Sequence, residues 1–204
     1  MDHPGFYDRA GPYSLAEVAD AAGAEIQGAA DTSTQITDVL PLDTAGSSTV
    51  TFLDNKKYLP ELEGTKAAAC LIAPDFADRL PDKTTARVLK APYHGFARAL
   101  ALFYPQAMRP LTAGLMDQPP VHPTAVIEDG AEIEAGAVIG PEAQIGRGAR
   151  IAACAVIGRR VCIGRDTFIG PNCCVTHALI GDRVIMHSGV RIGQDGFGFA
   201  MGPQ

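Results

Sequence analysis

The sequence has no tryptophan, few aromatic residues and few charges. Aromatic residues make up 6% of the chain, charged residues 20%, and the net charge is −6. An acidic balance of this kind gives no reason to expect a surface that binds nucleic acid. No apolar run approaches the ~18 residues that a transmembrane helix needs. We therefore expect no nucleic-acid partner and no transmembrane segment.

Cysteine is also scarce, and its number is odd. No two of the five cysteines form a Cys-x-x-Cys pair, and the N-terminal MDHPGFYDRAG has neither the basic nor the apolar region of a signal peptide. Reduced thiols in a cytosolic protein are therefore expected. We interpret the cysteines as small apolar fillers, with metal or redox use as the alternative. They are Cys70, Cys154, Cys162, Cys173 and Cys174.

What the sequence does have is a six-residue repeat. Val or Ile occupies every sixth position from Val121 to Val175, and after a slip of one residue the series resumes at Ile180, Met186 and Ile192. A period of six fits neither a helix nor a half-buried strand, but it is typical of a parallel β-helix. We expect the aliphatic residues to point inward in stacked coils. The glycine that follows many of them would turn the corners.

The N-terminal region lacks this period and predicts a small α/β domain, since helix and strand patterns alternate there. A Ser-x-x-Glu capping box at Ser14 predicts a short helix that ends at Gly23. The apolar face of residues 92–104 predicts a second helix, and the polar stretch 54–58 predicts the start of another. Strands are expected over residues 34–40, 49–53, 67–73 and 86–89.

Three regions follow from these patterns. We expect an α/β domain over residues 1–110, a proline-rich linker over 111–120 and the β-helix over 121–204. The β-helix would hold about four coils, because three hexads make each coil.

The stretch TFLDNKKY carries the first candidate site. Phe52, Asn55 and Tyr58 follow one another at intervals of three residues, where a predicted strand meets a predicted helix. Two aromatic rings beside an amide suit a planar base, because the rings stack on its faces and the amide reads its polar edge. Two core aromatics and a surface asparagine would have the same spacing. Lys56 and Lys57 could reach a diphosphate or lie in solvent.

Histidines and a glycine-aromatic run give further candidates. The spacing of His177 and His187 does not match that of zinc enzymes with this solenoid. Either could be a general base of an acyltransferase or lie in a solvated loop. Turn geometry does not decide between the two, and we favour the loop. His122 is expected to cap the first turn. The run from Asp195 to Ala200, which includes Phe197 and Phe199, either caps the last coil or lines a cleft, where the aromatic faces would be available to an acyl chain.

Three segments occur in a specific order: FLDNKKY in the first domain, VHPTAVIEDGAEI at the start of the repeat and HSGVRIGQDGFGFA at its end. Together they resemble the UDP-3-O-(3-hydroxyacyl)glucosamine N-acyltransferases of lipid A biosynthesis, over all of the chain except its N-terminal end. The repeat is common to many acyltransferases. The DGFGFA and Phe-x-x-Asn-x-x-Tyr patterns are more specific to this family.

The resemblance implies a left-handed β-helix that assembles as a homotrimer in the cytoplasm of a Gram-negative bacterium. It implies that Phe52 and Tyr58 hold uracil between their rings and that Asn55 recognises the base. The donor would be a 3-hydroxyacyl group on acyl carrier protein. The acceptor would be the 2-amino group of UDP-3-O-(3-hydroxyacyl)-glucosamine. No metal and no soluble cofactor would take part.

In this family the β-helix continues for further coils, and the catalytic histidine lies beyond the DGFGFA segment. We therefore expect the general base beyond Gln204 and assign no catalytic role to His177 or His187. The chain would be an N-terminal fragment with a truncated β-helix, inactive alone. Two alternatives stay open. The first is a different hexapeptide acyltransferase, such as a nucleotide-sugar O-acyltransferase or an acetyl-CoA-dependent N-acetyltransferase, and the second is a structural β-helix or trimerisation stalk. The uridine-reading domain counts against the first.

Overall fold

The computed structural model describes residues 3–26, 31–108 and 118–196. Within them the chain forms two compact units. Residues 7–108 form an α/β unit, and residues 3–6 join residues 118–196 in a β-helical unit. The N-terminal residues thus lie with the β-helix rather than in the first domain, where the sequence places them.

The α/β unit alternates helices and strands, as the sequence predicts. None of the helices among the described residues is long and apolar enough to cross a membrane. In chain order the elements are β1 Tyr13–Ser14, α1 Leu15–Ala22, β2 Glu25–Ile26, β3 Gln35–Ile36, β4 Asp38–Val39, β5 Thr49–Leu53, α2 Leu59–Glu63, β6 Ala69–Ile72, β7 Thr85–Val88 and α3 Pro92–Phe103, with 3₁₀ helices at Lys56–Tyr58, Pro74–Arg79 and Pro105–Met108.

The first helix confirms the predicted capping pattern. Ser14 accepts a hydrogen bond from the amide of Glu17, whose carboxylate in turn accepts one from the amide of Ser14 at 2.7 Å. Gly23 ends the helix in the left-handed conformation, with φ 69°. The single strand expected over residues 34–40 is instead two short strands, β3 and β4. They are divided at Thr37, whose amide turns to the carbonyl of Ser48 at 2.8 Å.

A five-stranded sheet in the order β2-β7-β6-β5-β4 forms the centre of this unit. Strands β4 to β7 run parallel, and β2 pairs antiparallel to β7. Side chains alternate across β5, so Val50 and Phe52 pack in the cluster of α1 and α3, whereas Leu53 packs in a second cluster with Leu62 of α2. Because parallel strands end at the same edge, Phe52 lies at the carboxyl edge of the sheet.

A buried carboxylate ties the start of this unit to β4 and α3. Asp38 is only 8% exposed. It accepts hydrogen bonds from the Arg9 guanidinium at 2.7 Å and from the Tyr104 hydroxyl at 2.8 Å. Burial, with this hydrogen bond, raises the pKa of Tyr104. The charge of Asp38 is thereby paired and hydrogen-bonded, as a buried carboxylate requires.

The β-helical unit is a parallel β-helix, as the hexapeptide repeat predicts, and it is left-handed, as the family resemblance implies. Its two-residue strands form three parallel sheets, in the orders β8-β11-β14-β17, β9-β12-β15-β18 and β10-β13-β16-β19. The strands are β8 Val126–Ile127, β9 Glu132–Ile133, β10 Val138–Ile139, β11 Gln144–Ile145, β12 Arg150–Ile151, β13 Val156–Ile157, β14 Cys162–Ile163, β15 Phe168–Ile169, β16 Cys174–Val175, β17 Leu179–Ile180, β18 Ile185–Met186 and β19 Arg191–Ile192.

The repeating aliphatic residues form the core, which confirms the predicted inward column. Ile139, Ile151 and Ile157 are fully buried in one cluster with Val175. Full burial of such a side chain stabilises the fold by about 1.5–3 kcal/mol. The smaller inner positions are filled by residues such as Ala149.

The one-residue slip shortens a single corner of the β-helix. Three residues instead of four separate β16 from β17, so β17 pairs with β14 one residue early in the repeat. His177 lies in this corner with φ 46°. The Phe6 ring meets the His177 ring edge-on at 5.8 Å, and the His3 ring nitrogen lies 2.7 Å from the carbonyl oxygen of Arg160. The N-terminal residues therefore pack beside the shortened corner.

Most glycines that follow an isoleucine do not turn the chain, contrary to our expectation, although Gly193 after Ile192 has φ 80°. Positive φ falls two residues later, as at Gly148 (φ 68°) and Arg160 (φ 56°). Gly146 is small for a different reason, because a Cβ there would lie 2.8 Å from the backbone nitrogen of Arg165 in the next coil. These glycines allow the coils to stack closely.

Candidate functional site

The predicted base-binding segment follows β5 at the carboxyl edge of the sheet. Asn55 precedes the 3₁₀ helix Lys56–Tyr58, which leads directly into α2. Helix α3 begins at Pro92, after β7, and its first turns lie at the same edge. Ligands of open α/β sheets bind outside the carboxyl ends of the strands. The edge therefore has the right position for a ligand site.

Phe52 is held by rings from α3. Its ring stacks on that of Phe96, with centroids 4.0 Å apart and planes inclined by 16°. Tyr93 lies beside Phe52 at 6.2 Å, tilted by 52°. Phe52 and Phe96 are both partly buried, so the stack lies at the margin of the core. Sequence reasoning missed this support. The sequence feature that could have indicated it is the pair of aromatic residues Tyr93 and Phe96, three positions apart in the first turns of α3.

Asn55 is exposed, and its side chain has a defined orientation. Its Oδ1 accepts a hydrogen bond from the backbone N–H of Lys57 at 2.9 Å, which caps the 3₁₀ helix. Because that donor requires the oxygen, the amide NH₂ points elsewhere with both of its protons available. The side chain is thus presented as a hydrogen-bond donor.

Tyr58 completes the predicted trio and is the most open of the three. It is 47% exposed, and its ring makes no contact with another ring among the residues that the structure describes. The structure therefore brings Phe52 against Phe96 and leaves Tyr58 without a ring partner. A ring that faces solvent in this way is available for stacking.

The two lysines of the segment differ in their surroundings. The Lys56 ammonium lies 5.6 Å from the ring centroid of Phe76, in the 3₁₀ helix after β6, which is a cation–π distance. Lys57 is exposed. Between the two, Lys57 has the side chain that can move toward a phosphate.

The candidates at the end of the repeat are only partly described. Asp195 is exposed after β19. Phe197 lies outside the described residues.

The histidines of the β-helix have separate environments. We expected His177 in a solvated loop. The structure instead places it partly buried against Phe6. His187 is exposed in the corner between β18 and β19. The His122 Nδ1 accepts from the Thr124 amide at 3.2 Å, which fits the predicted cap of the first turn. Across residues 3–26, 31–108 and 118–196, no three His, Cys, Asp or Glu side chains converge as metal ligands.

Only two of the five cysteines act as interior fillers. Cys70 and Cys173 are buried, whereas Cys154 is exposed and Cys162 and Cys174 face outward on the sheets. Burial raises the pKa of Cys70 to about 12. A thiol so hard to ionise is a structural residue and not a nucleophile.

One outer face of the β-helix carries a shallow groove. It has a volume of about 390 Å³ and runs across β8, β11 and β14. Val126 and Cys162 line its floor, and Glu128 and Arg165 pair at its rim at 3.0 Å. The groove is an apolar strip bordered by charge.

Comparison with known proteins identifies the family. Residues 33–102 match the family model described as UDP-3-O-(3-hydroxymyristoyl) glucosamine N-acyltransferase, LpxD, and residues 124–159 match the bacterial transferase hexapeptide (six repeats). A UDP-3-O-acylglucosamine N-acyltransferase of Methylobacterium sp. (strain 4-46) is 50% identical over 99% of this chain. One of Granulibacter bethesdensis (strain ATCC BAA-1260 / CGDNIH1) is 51% identical over 97% of it. The chain belongs to the LpxD family.

The LpxD family match includes the stretch from Phe52 to Tyr58. The chain spans 58% and 57% of the lengths of these two relatives. A solved structure of a mutant perosamine N-acetyltransferase from Caulobacter crescentus, in complex with CoA and GDP-perosamine, covers 88% of this chain at 15% identity. The TM-score is 0.24.

Proposed function

We propose that the α/β unit binds the uridine end of a UDP-sugar. The observation that carries this proposal is the arrangement at the carboxyl edge: a supported ring at Phe52, an open ring at Tyr58 and an outward amide at Asn55. A pyrimidine between the two rings would gain stacking energy on both faces. The Asn55 NH₂ would donate a hydrogen bond to a carbonyl of uracil. Cytosine has an amino group in place of that carbonyl and could not accept this bond.

We propose further that the enzyme transfers a 3-hydroxyacyl chain from acyl carrier protein to the 2-amino group of UDP-3-O-(3-hydroxyacyl)-glucosamine, in lipid A biosynthesis. The names of the relatives support N-acylation of a UDP-3-O-acylglucosamine. The amine attacks the thioester carbonyl, a base removes the proton, and the carrier thiol leaves. The transient oxyanion needs a hydrogen-bond donor. None of the described histidines is assigned as the base.

The proposed assembly is a homotrimer in the bacterial cytoplasm. Large aliphatic side chains on the outer faces of the β-helix support packing against further copies, since Val126 is 60%, Leu179 59% and Ile185 68% exposed. Burying such surface favours association. The five cysteines are unpaired, which fits a reducing compartment. Sedimentation equilibrium measures the mass of the assembly, and a monomer would contradict the trimer.

Calorimetry with UDP and ADP tests the uridine site. The chain should bind UDP and not ADP. Because stacking on an aromatic ring is worth about 1–3 kcal/mol per base, the double variant Phe52→Ala with Tyr58→Ala should lose at least about tenfold in affinity. Tyr13→Ala removes a ring that packs on Phe103, at the far end of α3, and should keep UDP binding. Unchanged binding by the double variant would contradict the site.

A donor comparison tests the reaction. In a protein of the relatives' full length, 3-hydroxyacyl carrier protein should acylate the 2-amino group of UDP-3-O-(3-hydroxyacyl)-glucosamine, and acetyl-CoA should not. Mass spectrometry of the UDP-sugar identifies the acyl group. Transfer from acetyl-CoA alone would favour a different hexapeptide acyltransferase.

A further inference from the structure

The ring of Phe52 can offer only one face to a base. Phe96 covers the other face, because the two centroids are 4.0 Å apart and the planes nearly parallel. Most aromatic pairs in proteins are offset or edge-to-face, with centroids about 4.5–7 Å apart. The close parallel contact here fixes the plane of Phe52, whose terminal torsion is otherwise broad.

The stack lies at the ligand edge and not in the interior. Phe52 and Phe96 are both partly buried, whereas Phe103 on the same helix is fully buried. Phe103 meets Tyr13 edge-on at 5.3 Å, an ordinary core contact. Of the two phenylalanines of α3, Phe103 therefore lies in the core, and Phe96 lies beneath the partly exposed ring of Phe52.

The position of Phe96 is itself constrained. A Cβ on the neighbouring Gly95 would lie 2.4 Å from a methyl of Leu89 and 3.4 Å from the carbonyl oxygen of Ala22. The absence of a side chain at Gly95 thus lets α3 pack tightly on α1 and on the segment after β7. This close contact constrains the helix backbone that carries Phe96.

We propose that Phe96 is a positioning residue of the uridine site, which holds the Phe52 ring in the plane on which the base stacks. This inference rests on the proposed binding of uridine. A ring fixed before the ligand arrives loses less conformational freedom on binding, so the affinity is higher. Phe96 acts through Phe52 and does not touch the base.

Titration of the 204-residue chain with UDP tests this role in four proteins: the parent chain, Phe96→Leu, Phe96→Tyr and Phe103→Leu. Losing the aromatic pair in Phe96→Leu should weaken UDP binding by about two- to tenfold. Phe96→Tyr keeps a ring and should restore the affinity to within about twofold. Phe103→Leu should lower the melting temperature and leave the affinity unchanged.

Fluorescence anisotropy gives a second readout that a loss of stability alone would not move. The chain has no tryptophan, so Phe52→Trp introduces a single indole into the stack. Adding Phe96→Leu should lower the anisotropy of that indole without ligand, and adding Phe103→Leu should not.

The positioning role would be overturned if Phe96→Leu bound UDP as tightly as the parent chain, or if Phe96→Leu left the indole anisotropy unchanged. Either result would leave the proposed uridine site intact. A parent chain that does not bind UDP would overturn both. Weaker binding in Phe96→Leu with recovery in Phe96→Tyr would support the proposal.

Discussion

Asn55→Asp separates the two roles of the Asn55 side chain. The aspartate keeps an oxygen for the Lys57 N–H, which Asn55 Oδ1 accepts at 2.9 Å. It loses the NH₂ group that would donate to uracil. Since asparagine and aspartate are equally good caps, we expect the melting temperature to stay the same or rise. Uridine binding should fall.

The expected loss of uridine affinity can be estimated from one unpaired group. In Asn55→Asp, the uracil carbonyl would enter the site without a hydrogen-bond donor. An unsatisfied polar group costs about 1–3 kcal/mol, which corresponds to roughly 5- to 150-fold in affinity. Asn55→Ala should differ, because it removes the cap as well and lowers stability by ~0.5–2 kcal/mol. The pair of variants thus distinguishes recognition of the base from helix capping.

Calorimetry with uridine and with UDP, beside thermal unfolding, is the assay. The nucleoside carries no phosphate, so repulsion between the new carboxylate and a diphosphate cannot explain a loss of uridine affinity. If Asn55→Asp binds uridine as tightly as the parent chain, the amide is not the group that reads the base.

Three further predictions concern stability, each measured by denaturant or thermal unfolding. Gly146→Ala should cost about 1–3 kcal/mol, because its Cβ would lie 2.8 Å from the backbone nitrogen of Arg165. Gly181→Ala, where a Cβ meets nothing within 4 Å, should be tolerated. Thr51→Val should raise the free energy of unfolding by about 1 kcal/mol, since the buried Thr51 hydroxyl has no partner among the described residues. Glu128→Gln should lower stability at neutral pH, and this effect should shrink as pH falls from 4.5 and disappear below about pH 2. The hydrogen bond from Arg165 lowers the pKa of Glu128 from 4.5 to about 2, so its stabilising charge is present above 4.5 and is lost as pH falls through about 2.

The β-helix could be predicted from the sequence because its physics is local. Each hexad buries one aliphatic residue and pairs with the hexads one coil away, so a period in the sequence is also a period in space. Even the slip at His177 is visible in the spacing of Val175 and Ile180. The packing of Phe6 beside that corner is not visible, because no repeat connects the N-terminus to it.

The candidate site shows the opposite case. Phe52, Asn55 and Tyr58 are neighbours in sequence, and their spacing indicates a site. Phe96 comes from a helix two strands later, and only the parallel sheet brings it under Phe52. The Asn55 orientation was equally hidden, since it depends on which atom caps the Lys57 N–H.

The corner glycines show how a correct repeat can carry a wrong local explanation. Glycine serves two purposes, a positive φ or a close approach of two backbones, and the sequence does not distinguish them. Positions with positive φ accept Glu142 and Asn172, because a strain of roughly 1–2 kcal/mol per residue is offset by burial of the aliphatic side chains of the repeat. A Cβ at Gly146 would instead push apart coils that are joined by the Gly146 N–H and the Ile163 carbonyl at 2.8 Å. At positions such as Gly146, contact between coils therefore selects glycine after isoleucine, whereas a Cβ on Gly181 would meet nothing within 4 Å and Gly193 has a positive φ.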